Sequence, residues 1–199
     1  MSSAATNHPL VVRARDMAKA AHDLCRHLRS DGTPYWTHPE RVVNTLAGHQ
    51  LRPEVLAAAW LHDVAEDCCD NEAGSRDWLA RFEAEFGPDV ARLVTEVTNY
   101  FIAGATMEEK QARLREHART MSGEAKWIKL ADRWDNISGM VGWPPEKRRR
   151  YGHATLLLLE ALKPWPEGAD SLAGKIVAAA HTHETSTVDT HILDGPDGP

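Results

Sequence analysis

Apolar residues recur every three or four positions along most of this 199-residue chain, and this spacing constrains the fold more than any other feature. Such a repeat places apolar side chains on one face of a helix, whereas the two-residue alternation of a half-buried strand is nearly absent. With 42% hydrophobic and 26% charged residues, the chain has the composition of one ordinary globular domain. The sequence therefore predicts an all-α domain with a single core.

Turn and capping residues divide the chain into predicted helices. Thr37 and Ser75 are suitable N-caps for two of them, and Pro53 and Pro88 are suited to the first turn of two others. The predicted helices cover about residues 10–29, 38–48, 53–67, 75–87, 88–99, 107–121, 124–140, 145–162 and 171–181.

The folded part is predicted to be one domain over residues 1–183. Residues 184–199 are rich in Thr, Asp, Gly and Pro, so they can bury little and are expected to be a disordered tail. The aromatic residues at helical spacing are predicted to belong to the core; they are Trp60, Trp78, Phe82, Phe86, Trp127 and Trp134.

Composition excludes several classes of partner. The chain carries 23 Lys and Arg against 29 Asp and Glu, a formal charge of -6, so it lacks the basic surface of a duplex nucleic-acid binder. The basic run from Lys147 to Arg150 is interpreted as a solvated helix face. We also expect no membrane insertion or secretion, because no apolar stretch is long enough to span a bilayer.

The cysteines indicate a reducing compartment. There are three, an odd number, and two of them, Cys68 and Cys69, are adjacent, which does not suit a disulfide framework. We interpret them as reduced thiols and expect the protein in the cytoplasm.

The densest cluster of ionisable residues is the segment His62-Asp63-Val64-Ala65-Glu66-Asp67, at the end of an otherwise apolar predicted helix. On a helix, His62 and Glu66 are one turn apart, as are Asp63 and Asp67. Three carboxylates this close would raise one another's pKa unless a cation neutralised them. The segment therefore indicates a metal site, with a solvated helix end as the alternative.

Two further segments supply matching donors. His38 lies at a predicted helix start, and Asp132 lies on a helix whose Leu130, Trp134 and Ile137 are expected to face the core. A carboxylate on a core-facing helix needs a partner for its charge.

These residues, in this order, resemble the HD-domain metal-dependent phosphohydrolases. The surrounding motifs are similar to the hydrolase domain of RelA/SpoT proteins and to stand-alone small alarmone hydrolases of the metazoan SpoT homologue type. The resemblance covers about residues 10–160 and rests on Gly32-Thr33-Pro34-Tyr35, His38-Pro39, Leu61-His62-Asp63, Glu66-Asp67, Phe86-Gly87-Pro88-Asp89-Val90, Val97-Thr98 and Lys129-Leu130-Ala131-Asp132-Arg133 with Asn136.

The resemblance implies an HD-domain helical bundle with one metal site. It makes His38, His62, Asp63 and Asp132 the metal ligands, with Mn²⁺ the usual ion, although the same donors bind other first-row metals more tightly. It makes Glu66 and Asp67 the catalytic pair, and a carboxylate one turn beyond a ligand is suited to orient or deprotonate a water.

The implied reaction is hydrolysis of the 3′-pyrophosphate of ppGpp or pppGpp, giving GDP or GTP and pyrophosphate. The resemblance places Arg29 against the guanine base and Asn136 against the sugar, with Ser30 beside them. A helix-end Arg and a helix-face amide are the alternative interpretations. Lys110 and Arg113 lie near the family's phosphate-binding positions, although their charged surroundings favour a solvated face.

Asp135 departs from the family, which usually has His or Tyr at this position. The departure adds negative charge near the expected nucleotide site. It therefore leaves open an HD phosphohydrolase acting on another nucleotide, such as an adenosine alarmone or another 3′- or 2′-phosphorylated nucleotide. A catalytically silent nucleotide-binding regulator is a third hypothesis, against which the intact Glu66-Asp67 pair argues. The expected partner is in every case a small nucleotide, and the sequence leaves the oligomeric state open.

Overall fold

The computed structural model describes residues 3–26, 28–29, 31–99, 105–140 and 142–185. Within these ranges the regular structure is helical, and the backbone pairing between extended residues is one isolated bridge between Leu28 and Pro34. The all-α prediction is confirmed. The helices are α1 (Ser3–Thr6), α2 (Pro9–Leu24), α3 (Thr37–Leu46), α4 (Pro53–Leu61), α5 (Val64–Asp67), α6 (Glu72–Phe86), α7 (Pro88–Val97), α8 (Met107–Ala118), α9 (Gly123–Ser138), α10 (Pro145–Ala161) and α11 (Asp170–Thr185).

Helix α4 lies at the centre of the bundle. Every residue from Val55 to Leu61 is buried, as expected for a short helix that is apolar on all sides. Helices α2, α3, α7 and α9 pack around it. Helix α3 also packs against α9, so the start of α3, the end of α4 and the middle of α9 come together inside the molecule.

The predicted core aromatics are confirmed. Trp60, Phe82, Phe86 and Trp127 are buried, and Trp78 and Trp134 are partly buried and pack against the same core. The basic run at the start of α10 is largely exposed, in agreement with a solvated face. Among the described residues, no helix combines the length and the apolar character needed to cross a membrane.

Several predicted helix boundaries are wrong. The first helix ends at Leu24 instead of near residue 29, because Arg26 adopts a left-handed backbone with φ of 52° and Leu28 then pairs with Pro34. The predicted helix 53–67 is interrupted by a turn at His62 and Asp63, which separates α4 from α5.

Two predicted caps are also wrong. Asn71, not Ser75, caps α6, with its side chain accepting a hydrogen bond from the backbone N–H of Gly74 at 3.1 Å. Thr37 lies inside α3, where its hydroxyl donates to the carbonyl of Pro34. At the other end of the chain, α11 continues to Thr185, past the predicted domain boundary at 183. The rest of the predicted tail, 186–199, lies outside the described residues.

Candidate metal centre and active site

Two histidine rings meet where α3 and α4 converge. His38 lies in the first turn of α3 and His62 directly follows α4, and their ring centroids are 5.3 Å apart. Both residues are at most 1% exposed. The prediction that these two distant histidines share a site is therefore supported by their geometry.

The ring nitrogens of both histidines have distinct surroundings. Nδ1 of His62 donates to the carbonyl of Ala59 at 2.8 Å, and Nδ1 of His38 lies 2.7 Å from Oδ2 of Asp135. The two Nε2 atoms are buried and have no hydrogen-bond partner among the described residues. A histidine held through Nδ1 presents the Nε2 lone pair to a metal, so this pattern is typical of ligating histidines.

Two carboxylates face these Nε2 atoms. Asp63 approaches His62 to 3.1 Å and His38 to 3.3 Å, and Asp132 approaches His38 to 3.3 Å. Ligand atoms of His38, His62 and Asp132 all lie within 4.8 Å of one another. Imidazole nitrogens and carboxylate oxygens suit a first-row divalent cation, so these residues fit a metal ion.

The ionisable groups of the cluster shift one another's pKa values. Burial opposes the charge on His38, but its contacts with the carboxylates of Asp132 and Asp135, together with the charge of Asp63, raise its pKa to about 10. Burial would raise the pKa of Asp132, yet Lys129 and the two histidines hold it well below its usual range. A divalent cation held by these groups would supply positive charge to Asp63 and Asp132 and would require both histidines to be neutral.

Three neighbours hold the carboxylates in place. The hydroxyl of Tyr35 donates to Asp63 at 2.8 Å, the ammonium of Lys129 to Asp132 at 3.3 Å, and the amide of Asn136 to Asp132 at 2.6 Å. Tyr35 and Lys129 were not among the predicted site residues. The sequence feature that could have indicated them is their spacing from the predicted metal ligands: Tyr35 is three residues before His38, and Lys129 is one turn before Asp132.

The predicted catalytic pair lies on α5, one turn beyond Asp63. Glu66 accepts hydrogen bonds from the backbone N–H and, at 3.3 Å, the side-chain amide of Asn99. Removal from water raises the pKa of Glu66 to about 7. The same effect, followed by the charges of Asp63 and Glu66, raises the pKa of Asp67 to about 8. Both carboxyl groups are therefore suited to exchange protons near neutral pH.

A cavity of about 540 Å³ opens beside this pair. It is bounded by the α5 segment, by the loop after it and by one side of α8, which contributes Lys110, Arg113 and His117. The cationic side chains of Lys110 and Arg113 thus share one cavity with Glu66 and Asp67. Lys110 and Arg113 are exposed, as a solvated face requires, but they also line this cavity.

Asp135 is not the unbalanced negative charge that its sequence position suggested. Its buried carboxylate accepts hydrogen bonds from Arg29 at 2.9 Å and from Arg41 at 2.6 Å, in addition to its contact with His38. Burial alone would raise its pKa, but His38 and Arg41 keep it below its usual range. Asp135 therefore connects Arg29 to a metal-facing histidine.

The remaining predicted substrate contacts are placed as follows. The guanidinium of Arg29, with 13% of its side chain exposed, is held by Asp135. Asn136 bonds to Asp132, as its alternative interpretation proposed. Ser30 lies outside the described residues.

The helical fold and the His/Asp cluster together define a class of protein. The HD domain family profile matches residues 14–162, and the chain belongs to the HD domain family. Membership and the donor set together indicate a divalent metal site.

Known proteins with similar sequences include guanosine-3′,5′-bis(diphosphate) 3′-pyrophosphohydrolases. MESH1 of Danio rerio is 32% identical over 143 residues, 68% of this chain and 74% of that protein. MESH1 of Xenopus tropicalis is 33% identical over 149 residues, 71% of this chain and 78% of that protein.

Longer bacterial proteins match as well. A probable GTP pyrophosphokinase of Mycobacterium leprae is 34% identical over 158 residues, 78% of this chain. The chain spans only 19% of that protein's length. Among solved structures, a metazoan ortholog of SpoT that hydrolyses ppGpp superimposes with a TM-score of 0.72 and 28% identity, covering 86% of this chain and 95% of that one.

Proposed function

We propose that this chain hydrolyses the 3′-pyrophosphate of guanosine alarmones, converting ppGpp or pppGpp into GDP or GTP and pyrophosphate. The activity for which the MESH1 relatives and the metazoan SpoT ortholog are named supports this substrate class. We further propose that the protein acts in the cytoplasm on a small nucleotide.

We propose Mn²⁺ as the ion, held by His38, His62, Asp63 and Asp132. When bound, such an ion lowers the pKa of coordinated water and so supplies a nucleophile at neutral pH. Tyr35, Lys129 and Asn136 keep the two carboxylates oriented toward the histidines, as the hydrogen bonds to outer residues do in other metal sites.

The observation that carries the proposal is the position of Glu66 and Asp67. They line the cavity, they follow the ligand Asp63 by one helical turn, and the pKa of each is raised toward neutrality. In the proposed reaction Glu66 accepts a proton from the attacking water. Asp67 gives a proton to the ribose 3′-oxygen that leaves as its bond to phosphorus breaks.

We propose that the cavity receives the substrate's phosphates and that Lys110 and Arg113 on α8 bind them. Their charges face the same space as Glu66 and Asp67, which supports this orientation. Arg29 is proposed to stack on the guanine, with Ser30 beside it and Asn136 near the sugar. The ion pair with Asp135 restrains the Arg29 guanidinium, whose planar surface is suited to stack on a purine.

Asp135 does not by itself favour a different nucleotide, because two arginines and His38 already neutralise its carboxylate.

The deciding experiment is incubation of metal-stripped protein with ppGpp, with and without Mn²⁺, and separation of the products by ion-exchange chromatography. We expect GDP and pyrophosphate only with metal.

A panel of other 3′- and 2′-phosphorylated nucleotides, with phosphate and pyrophosphate measured separately, tests the alternative substrates. Phosphate alone from every substrate would reject the pyrophosphohydrolase proposal. Tight binding of ppGpp without turnover would support a silent regulator instead.

A further inference from the structure

Two thiols from distant parts of the chain meet beside the active site. Sγ of Cys25 lies 2.7 Å from Sγ of Cys68, although the residues are 43 positions apart. Cys25 is the C-cap of α2, and Cys68 is the C-cap of α5, directly after Glu66 and Asp67. The sulfur separation exceeds the bond length of a disulfide, about 2.05 Å, by well under 1 Å.

The environments of the two thiols differ. Cys25 is exposed, and peroxides in solution have access to it. Cys68 is half-buried, and burial, together with the neighbouring Cys25 and Asp67, raises the pKa of its thiol. Cys25 is therefore the better first nucleophile, and Cys68 is positioned to react with it afterwards.

His22 lies within reach of the second thiol. Its Nδ1 is 3.5 Å from Sγ of Cys68, so the imidazole can take the proton that this thiol must lose. The third cysteine is differently placed: the thiol of Cys69 is directed to the carbonyl of Ala65, at 3.1 Å. Cys69 is thus a natural internal control for its neighbour.

His22, Cys25 and Cys68 together could also be the ligands of a soft metal ion. The sulfur separation argues against that interpretation. Two thiolates that share a tetrahedral zinc, each at about 2.3 Å, lie roughly 3.7 Å apart, a full ångström more than is seen here.

We propose that Cys25 and Cys68 are a peroxide-oxidised pair that forms a reversible disulfide. The Cys25 thiol loses its proton to solvent, the thiolate attacks one oxygen of hydrogen peroxide and the O–O bond breaks. Cys25 becomes a sulfenic acid, and the departing hydroxide takes up a proton from solvent to leave as the first water. The Cys68 sulfur then attacks the sulfenic sulfur, and the S–S bond forms. Hydroxide leaves and takes up the proton that Cys68 passed to His22, which gives a second water. Two electrons move from the sulfurs to the peroxide, and a dithiol reductant returns them.

The experiment treats reduced full-length protein with one equivalent of hydrogen peroxide and then alkylates the remaining thiols. We expect the chain to lose two hydrogen atoms, about 2 Da, and proteolytic mapping to recover a peptide joining Cys25 to Cys68. Dithiothreitol should restore both thiols. Cys69 should remain open to alkylation throughout, and Cys69→Ser should form the same disulfide at an unchanged rate.

Single substitutions separate the two steps. Cys68→Ser should stop at a sulfenic acid on Cys25, which dimedone traps, while Cys25→Ser should react with peroxide at least tenfold more slowly. Both thiols remaining free in the wild-type protein, or a bond formed by Cys69, would overturn the proposal. So would a stoichiometric zinc ion that is retained by Cys69→Ser and lost in Cys25→Ser and Cys68→Ser. None of these readouts depends on the nucleotide chemistry.

Discussion

Individual carboxylates determine the chemistry of this centre, because each is held by a different set of neighbours. Asp63 and Asp132 are fixed by Tyr35 and Lys129 and stay ionised toward the histidines. Glu66 and Asp67, one turn further along the chain, have pKa values near neutrality. Similar side chains thus differ in their ionisation: Asp63 and Asp132 are suited to hold a metal, whereas Glu66 and Asp67 are suited to exchange protons.

Glu66→Gln tests the proton-transfer role. The amide keeps the shape of the carboxyl group but cannot accept the proton of an attacking water, so turnover of ppGpp should fall roughly a hundredfold or more. Mn²⁺ binding, followed by isothermal titration calorimetry, should be unchanged. Glu83→Gln, an exposed substitution on α6, is the matched control and should behave as wild type. Unchanged turnover in Glu66→Gln would remove Glu66 from the mechanism.

Asp132→Ala tests the metal assignment. Loss of one of four donors should weaken Mn²⁺ binding by about a hundredfold or more and abolish activity with it. Titration of the metal-stripped variant with Mn²⁺ measures this directly. Full Mn²⁺ affinity in this variant would exclude Asp132 as a ligand.

The order of motifs was enough to predict the two histidines and two aspartates that converge. The roles of Asp135 and Lys129 could not be predicted in the same way. From the sequence, Asp135 is interpreted as an extra negative charge. Only the packing of α3, and of the segment that precedes it, against α9 shows that Arg29, Arg41 and His38 contact its carboxylate. The charge of Asp135 is thus neutralised by residues up to 106 positions away, which no local sequence pattern can indicate.

At the scale of helices, periodicity predicted where most elements lie, but local geometry set their ends. The turn at His62 and Asp63 interrupts a segment whose composition favours one continuous helix. At this turn His62 Nε2 lies 3.1 Å from Asp63 Oδ1, so the end of α4 brings two neighbouring residues to the same site.

The close contact between helices α10 and α11 predicts how two glycine substitutions change the stability of the protein. A Cβ at Gly152 would lie 2.9 Å from the carbonyl oxygen of Ala180, so Gly152→Ala should push the two helices apart and cost about 1–3 kcal/mol of unfolding free energy. Gly174, exposed on α11, has open space around it, and Gly174→Ala should stabilise the protein by up to about 1 kcal/mol. Urea denaturation measures both. Equal changes in the free energy of unfolding for the two substitutions would contradict the close approach of α10 to α11 at Gly152.

For the molecule as a whole, the metal site connects elements that are far apart in the sequence. Its proposed ligands come from α3, from α9 and from the turn between α4 and α5. An ion that binds only this assembled arrangement must favour the folded state over the unfolded chain.

Metal loading should therefore raise the thermal stability. At a free Mn²⁺ concentration a hundred times the Kd, linkage contributes about 2.7 kcal/mol, which corresponds to roughly 5–10 °C in Tm for a domain of this size. Differential scanning calorimetry of stripped and reloaded protein measures the shift. Asp132→Ala should show no comparable increase, and an equal shift in that variant would place the stabilising ion elsewhere.

The difference between α4 and α8 has a consequence for how this protein could diverge. Helix α4, which ends at the metal-facing histidine, is enclosed by its neighbours, whereas only Leu114 and Ala118 of α8 are buried. A substitution in α4 disturbs the core, but most positions of α8 can change without a packing penalty. The buried centre and the cavity wall are thus separately mutable, so substitutions on α8 can change the charge and shape of the cavity while the cluster of His38, His62, Asp63 and Asp132 is inherited intact.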